Sequence, residues 1–267
     1  MLDLEFSQFS DRGPTRQRNE DYAGSVLPDT PHEMRSRGWL FAVADGVGGH
    51  NMGDVASRTA VESVRGGFRR SPAGEQLTTT LTRLVQQASS SVLAAARKAG
   101  SDGAGMATTI VLCALRYDRA VIAHVGDSRC YRIQNGTVSI LTKDHTVANE
   151  QQLMGLITAQ EFKSSANRHL LSRSLGLDLF VAPDVKEIQV LPGDVFVLCS
   201  DGLHNGVTNA DILRIAGGKD GDLNKMAEDL AQHAMDTDGR DNVTVLLVRI
   251  RDVERIGMYR GRPYKIR

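Results

Sequence analysis

The residues with the greatest chemical reach in this chain are carboxylates standing where apolar runs stop. The run in WLFAVADGVGGH ends at Asp45-Gly46, VIAHVGDS ends at Asp127, and VFVLCSDG ends at Asp201-Gly202. Asp241-Asn242 stands just before the run VTVLLVRI, and Asn19-Glu20-Asp21 adds two adjacent acids near the amino terminus. Taken singly, Asp-Gly after a strand is an ordinary turn, because Gly accepts positive φ and Asp bonds its own backbone. Taken together, strand ends on one rim would bring several carboxylates to one place without matching cations. Such a cluster is costly unless protons or hard metal ions neutralise it. Oxygen-only ligands select Mg²⁺ or Mn²⁺ ahead of zinc.

Other chemistries find less support. No D-x-[DN]-x-[DN]-G loop exists, so the acids are not an EF-hand, and no H-E-x-x-H pair announces a zinc hydrolase. Neither G-x-x-x-x-G-K-[ST] nor a strict G-x-G-x-x-G is present to cradle a nucleotide. A His- or Ser-based triad stays open on the residues alone, although no G-x-S-x-G elbow marks one. The glycines after Asp45 have a use in the metal reading: without a Cβ, the Gly46 carbonyl can approach an ion, and Gly48-Gly49 leave open space above it.

The elements that must position these acids are mostly strands. Apolar and alternating runs predict strands over Phe6–Phe9, Trp39–Ala44, Thr108–Leu115, Val121–Val125, Arg129–Ile133, Val138–Leu141, Glu187–Val190, Val195–Cys199 and Val243–Ile250. Asn135-Gly136 and Leu191-Pro192-Gly193-Asp194 read as two hairpin turns. Helical spacing is clearest over Ser57–Gly67, Gln76–Lys98 and Leu223–Met235, with a shorter stretch around Ala210–Ala216. Leu27 to Gly38, with two prolines and mixed charge, reads as a loop. Strands in linked sets with helices between the sets predict an α+β fold: a central β-sandwich of two antiparallel sheets, helices packed outside both. Residues 1–250 are expected to form one domain, with a helical, flap-like insertion at about 146–183 and a basic tail over 251–267.

Composition narrows the partners. Lys+Arg and Asp+Glu both total 32, and a net charge of zero argues against nucleic acid or an anionic membrane as the main partner. Past Arg249 the balance tips, with Arg251, Arg255, Arg260, Arg262, Lys265 and Arg267 against Asp252 and Glu254: a solvated end, or a docking arm for an acidic partner. The amino terminus carries acids where a signal peptide has lysines, and no apolar run approaches the roughly 18 residues of a membrane span. Cys113, Cys130 and Cys199 are odd in number and far apart, offering no disulfide framework. The expectation is a cytoplasmic monomer.

The motif series SDRGPTRQRNED, FAVADGVGGH, AHVGDSRCYR, LTKDH, LCSDGL and GRDNVTV, in that order from Ser10 to Val248, resembles the metal-dependent type 2C protein serine/threonine phosphatases, and most of all their compact bacterial branch. The resemblance implies the β-sandwich fold with a metal centre at one edge. It implies that Asp45 bridges two Mn²⁺ or Mg²⁺ ions, one held also by Asp201 and Asp241 and the other by the Gly46 carbonyl. Glu20 and Asp21 then hold waters of the ions, Asp127 with Asp201 forms a weaker third-metal site, and Arg16 grips the substrate phosphate. His50 is the candidate general acid for the leaving alkoxide. Two ions about 3.5–4 Å apart share and acidify a water for in-line attack at phosphorus, and Arg offers a planar fork matched to phosphate oxygens. The implied partners are phosphorylated proteins, a cognate Ser/Thr kinase and its substrates.

Two positions depart from the family pattern. After SDGL the chain reads His204-Asn205 where the family usually has an Asp, which puts the third ion in question. Ala107 in MATT replaces a commoner glycine. His145 is expected to pack or hydrogen-bond near the insertion and not to touch substrate. Two other functions compete: a non-catalytic module binding phosphoproteins or a kinase, whose signature would be replaced core acids, and a metal-dependent hydrolase of small phosphoesters.

Overall fold

Two antiparallel sheets carry the strand ends described above. The structure is a computed structural model and describes residues 2–47, 52–100, 104–218, 220–253, 256–259 and 262–265. In the first sheet β1 (Asp3–Asp11), β11 (Val243–Asp252), β10 (Val195–Cys199), β7 (Arg129–Gln134) and β8 (Thr137–Ile140) lie side by side in that order. The second runs β2 (Asp21–Val26), β3 (Trp39–Val47), β5 (Ile110–Arg116), β6 (Arg119–Val125) and β9 (Asp184–Gln189), with the short β4 (Ala107–Thr108) paired to the end of β3. A separate hairpin, β12 (Ile256–Tyr259) with β13 (Arg262–Lys265), occupies the basic tail.

The sandwich explains the pattern of apolar residues. Trp39, Phe41 and Val43 of β3 point between the sheets, against Val111, Cys113, Phe196, Leu198, Leu246 and Val248. Leu40, Ala42 and Ala44 of the same strand point outward, under α2 (Gly53–Arg69) and α3 (Leu77–Ala99). A strand covered on both faces reads as a continuous apolar run, which is how β3 appears in the sequence. The outer face of the first sheet is covered by α6 (Asp201–Gly206), α7 (Asn209–Ala216) and α8 (Leu223–Thr237). Helices therefore lie on both outer faces, as the sequence pattern predicts. The three cysteines are buried free thiols, and burial pushes Cys113 and Cys199 up to about 12, so they act as small hydrophobes.

Several local expectations change. Asn135 and Gly136 both have positive φ, the signature of a type I′ hairpin, and join β7 to β8. Leu191–Asp194 is a turn but not a hairpin: β9 pairs with β6 in one sheet, and β10 pairs with β7 and β11 in the other. Pro-Gly reverses the chain, while Asp194, buried and held by Arg132, anchors the turn at the sheet crossing. The segment 27–38 contains the short helix α1 (Pro31–Ser36), started by Thr30 accepting from the Glu33 N–H. β2 and α6 carry no strong periodicity and are additions. Between β8 and β9 the expected helical insertion is helical in its first half only, with α4 (Val147–Leu153), α5 (Ala159–Ser164) and a 3₁₀ turn at Ala166–His169, and irregular from 170 to 183. Among the described residues no helix is long and apolar enough to cross a membrane.

Candidate metal centre

Strand register brings the separated acids to one rim. Asp21 opens β2 directly opposite Asp45 at the end of β3. In the other sheet Cys199 pairs with both Val245 and Arg129, so the two residues after β10, before β11 and before β7 reach the same edge. Those residues are Asp201, Asp241 and Asp127. Their electrostatics record the meeting: Asp45 is pushed well above the usual carboxylate range by burial and then by Asp21, Asp201, Asp127 and Asp241. Burial, opposed by a hydrogen bond from Ser200, raises Asp21 to about 7, and burial with the Asp201 charge raises Asp127 to about 8. Asp201 and Glu20 are also raised, in both cases by burial first. Like charges directly opposite across a ladder are unfavourable, and nothing in the core fold calls for them.

The rim is built with care around those acids. The Asp45 N–H donates to Thr109 Oγ1 at 2.9 Å, and its carbonyl accepts from the Thr109 N–H and the Thr108 hydroxyl. This is why the expected strand Thr108–Leu115 is broken at Thr109. Ser200 Oγ donates to Asp21 Oδ2 at 2.6 Å and itself accepts the Thr244 N–H. Asn242 pins three points of the segment between β1 and β2: its Oδ1 accepts the Glu20 N–H, and its Nδ2 donates to the carbonyls of Arg12 and Arg18, all at 2.8 Å. Gly46 is glycine for a concrete reason, since a Cβ there would stand 2.1 Å from the Gly53 carbonyl oxygen. Gly53 in turn lies against the Glu20 carboxyl.

Asp21 Oδ1 and Asp201 Oδ1 are buried and have no hydrogen-bond partner. Orphaned buried carboxylate oxygens, in a set that offers only oxygen, are what a hard divalent cation requires. Arg16 leans into the same cluster: its Nη2 donates to Asp241 Oδ2 at 2.7 Å, and its Nε to the Arg240 carbonyl. The 204–205 departure lies here too. Asn205 Nδ2 donates to Asp201 Oδ2 at 3.3 Å, and His204, held neutral by burial with a pKa of about 3, donates Nε2–H to the Asp127 carbonyl. His50, with Gly48 and Gly49, lies outside the described residues.

Comparison with known proteins agrees with this edge. A family profile described as protein phosphatase 2C matches residues 16–247. The chain belongs to the protein phosphatase 2C family. It is 34% identical to the serine/threonine phosphatase Stp of Listeria innocua, over 95% of this chain and 96% of that protein. The crystal structure of the Mycobacterium tuberculosis serine/threonine phosphatase PstP superposes with a TM-score of 0.81 at 31% identity, covering 94% of this chain and 100% of that one. The catalytic domain of PstP in complex with two manganese ions superposes at 0.79, also 31% identical, covering 94% and 100%. Membership makes the chain a metal-dependent hydrolase of the serine/threonine phosphatase class, with phosphoproteins as substrates.

The sequence pattern points to Arg16, Glu20, Asp21, Asp45, Gly46, Asp127, Asp201 and Asp241, and the fold gathers all eight. The pattern passes over Asn242, Ser200, Thr109 and Asp54. Asn242 and Ser200 adjoin predicted acids, and adjacency was their available signal. Asp54, in the first turn of α2, faces Glu20 and adds another buried oxygen without a partner; it closes no apolar run and has no signal in the sequence.

Proposed function

We propose that this chain removes phosphate from phosphoserine and phosphothreonine on proteins, with Asp45, the Gly46 carbonyl, Asp201 and Asp241 holding two Mn²⁺ or Mg²⁺ ions. The observation that carries the reading is the convergence of distant carboxylates, two of them with buried unpartnered oxygens, on one edge of the sandwich. Bound cations would supply Lewis acidity that acidifies water and offsets phosphoryl charge. The chain's own groups supply the rest. Glu20 and Asp21 would accept hydrogen bonds from the waters of bound ions, Asp21 being held in place by Ser200. Arg16 has half its side chain in solvent and its fork beside Asp241, so it can take two phosphate oxygens as substrate enters. His50 is assigned the proton that the leaving serine or threonine oxygen needs, on the sequence pattern alone.

Two ions form the proposed resident set. Asp127 and Asp201 begin a third site, but the Asn205 amide already donates to Asp201 where a further carboxylate would stand. The reading also assigns residues 1–250 to one catalytic domain with 146–183 as its flap, 251–267 to a basic tail, and the protein to a cytoplasmic monomer opposing a Ser/Thr kinase. The test is phosphate release from a phosphothreonine peptide. Release should require Mn²⁺ or Mg²⁺, stop with EDTA, and fall at least a hundredfold in Asp201→Asn; full activity in that variant would refute the assignment.

A further inference from the structure

A second titratable cluster lies behind the rim, at the root of the helical segment between β8 and β9. His124 of β6, His145 and Asp184 of β9 each place one ligand-type atom within 4.8 Å of the others. The two rings stack, with centroids 4.7 Å apart and 22° between planes. These are the atom types of a metal site, but hydrogen bonding points elsewhere. The Gly126 N–H donates to His145 Nδ1 at 3.2 Å, and a backbone N–H can only donate. Nδ1 therefore carries the lone pair, and in the neutral ring Nε2 carries the proton. Burial, with His124 and Arg173 nearby, lowers the His145 pKa to about 4, so the neutral ring is the form present near neutrality. A protonated Nε2 offers no lone pair to a cation. It is buried, has no hydrogen-bond partner and stands 3.4 Å from Asp184 Oδ2.

The two ends of His145 face different parts of the molecule. On the Nδ1 side is Gly126, with φ of +102° and no room for a Cβ against Thr109; the next residue is Asp127. The His145 N–H also donates to the Gly126 carbonyl, so ring and backbone grip one turn. On the other side Asp184 accepts from Arg173 Nη1 at 3.0 Å. The His145 carbonyl accepts from the Ser172 N–H, and the Ser172 hydroxyl donates to Glu150 of α4. Entry and exit of the helical segment thus meet beside His145.

We propose that His145 is a two-ended positioning residue: Nδ1 fixes the turn that carries Asp127, and Nε2–H, facing Asp184 at 3.4 Å as a polar contact and not a formed hydrogen bond, sets the helical segment 146–183 against that turn with Arg173 on the far side of the carboxylate. The proposal rests on the reading of the rim as the reaction site, and assigns work to a residue that touches neither substrate nor cations.

Asn and Gln separate the two ends, because the Asn amide sits near the Nδ1 position and the Gln amide near Nε2. His145→Asn should keep the acceptor for Gly126. Its Mn²⁺ affinity by calorimetry and its kcat on p-nitrophenyl phosphate should stay within about twofold of wild type, while KM for a phosphothreonine protein rises about tenfold. His145→Gln keeps a donor toward Asp184 and loses the Gly126 acceptor. Because Gly126 packs against Thr109, whose hydroxyl holds the Asp45 N–H, the Gln variant's Mn²⁺ affinity and kcat on both substrates should fall about fivefold, the factor a net hydrogen bond of about 1 kcal/mol commands. Asp184→Asn, on a more exposed side chain, should reproduce the Asn variant: raised KM for phosphoprotein, unchanged Mn²⁺ binding. Indistinguishable Asn and Gln variants, or an Asp184→Asn protein with wild-type KM, overturn the proposal. So does zinc found by mass spectrometry in wild-type protein and lost from both His145 variants, which would make the trio a metal site. Mn²⁺ titration of the variants reads the Nδ1 half even if wild-type protein releases no phosphate, so the two readings fail separately.

Discussion

Asn242→Ala tests whether the rim is held by the hydrogen bonds that converge on one buried amide. The side chain is 4% exposed and makes three bonds of 2.8 Å, to the Glu20 N–H and the Arg12 and Arg18 carbonyls. Each bond is worth about 1 kcal/mol net, so their loss costs about 3 kcal/mol. For a chain of this length about 1 kcal/mol corresponds to about 2–4 °C, giving a fall in Tm of about 6–12 °C. Asn242→Asp keeps the acceptor for Glu20 but turns a carboxylate oxygen toward two carbonyls, and should cost at least as much. Because the tied segment carries both Arg16 and Glu20, Mn²⁺ affinity and kcat/KM should fall with stability. Scanning fluorimetry in EDTA and in Mn²⁺ measures the first effect, and peptide turnover the second. A variant within about 2 °C of wild type, with unchanged turnover, would show that the amide is not what holds the rim.

Three further outcomes follow from the same geometry. In EDTA the carboxylates of Asp21 and Asp127, raised to about 7 and about 8, bind protons more tightly folded than unfolded; stability should fall as pH rises from about 4 through 8. Saturating Mn²⁺ should flatten that slope, and a Tm in EDTA that is constant or rising over this window would contradict it. Gly46→Ala puts a Cβ 2.1 Å from the Gly53 carbonyl oxygen, so the backbone must move: about 1–3 kcal/mol of stability and a weaker Mn²⁺ titration are expected, and an undisturbed Mn²⁺ isotherm would refute the close approach. Arg129 donates twice to Asp144, at 2.9 and 2.6 Å. Burial raises the Asp144 pKa, but the Arg129 bonds and charge outweigh it and leave it lowered. Its contribution is present above the unfolded value near 4 and lost in acid; Asp144→Asn should cost about 3–5 kcal/mol in urea at pH 7, and the gap to wild type should shrink below pH 3.

What the sequence determined by itself was local. The double-sided burial of β3 and β10 was visible as unbroken apolar runs, the amphipathic helices as three- and four-residue spacing, and the β7–β8 turn as Asn-Gly. Each is fixed by residues a few positions apart. The acids were visible as well, because a carboxylate closing a buried strand is expensive wherever it lies, and their ordered motifs carried the family. Pairing was not legible: Pro192-Gly193 announces a reversal, yet β9 and β10 separate into different sheets because their partners, β6 and β7, are chosen by packing across the whole sandwich. The tether Thr109 was silent, and Asn242 and Ser200 were marked only by adjoining predicted acids, since a buried amide or hydroxyl acquires its role from carbonyls and N–H groups as many as 230 residues away. The charges were written in the chain, and only the folded sandwich decided that they would face one another, because convergence is a property of register and layer.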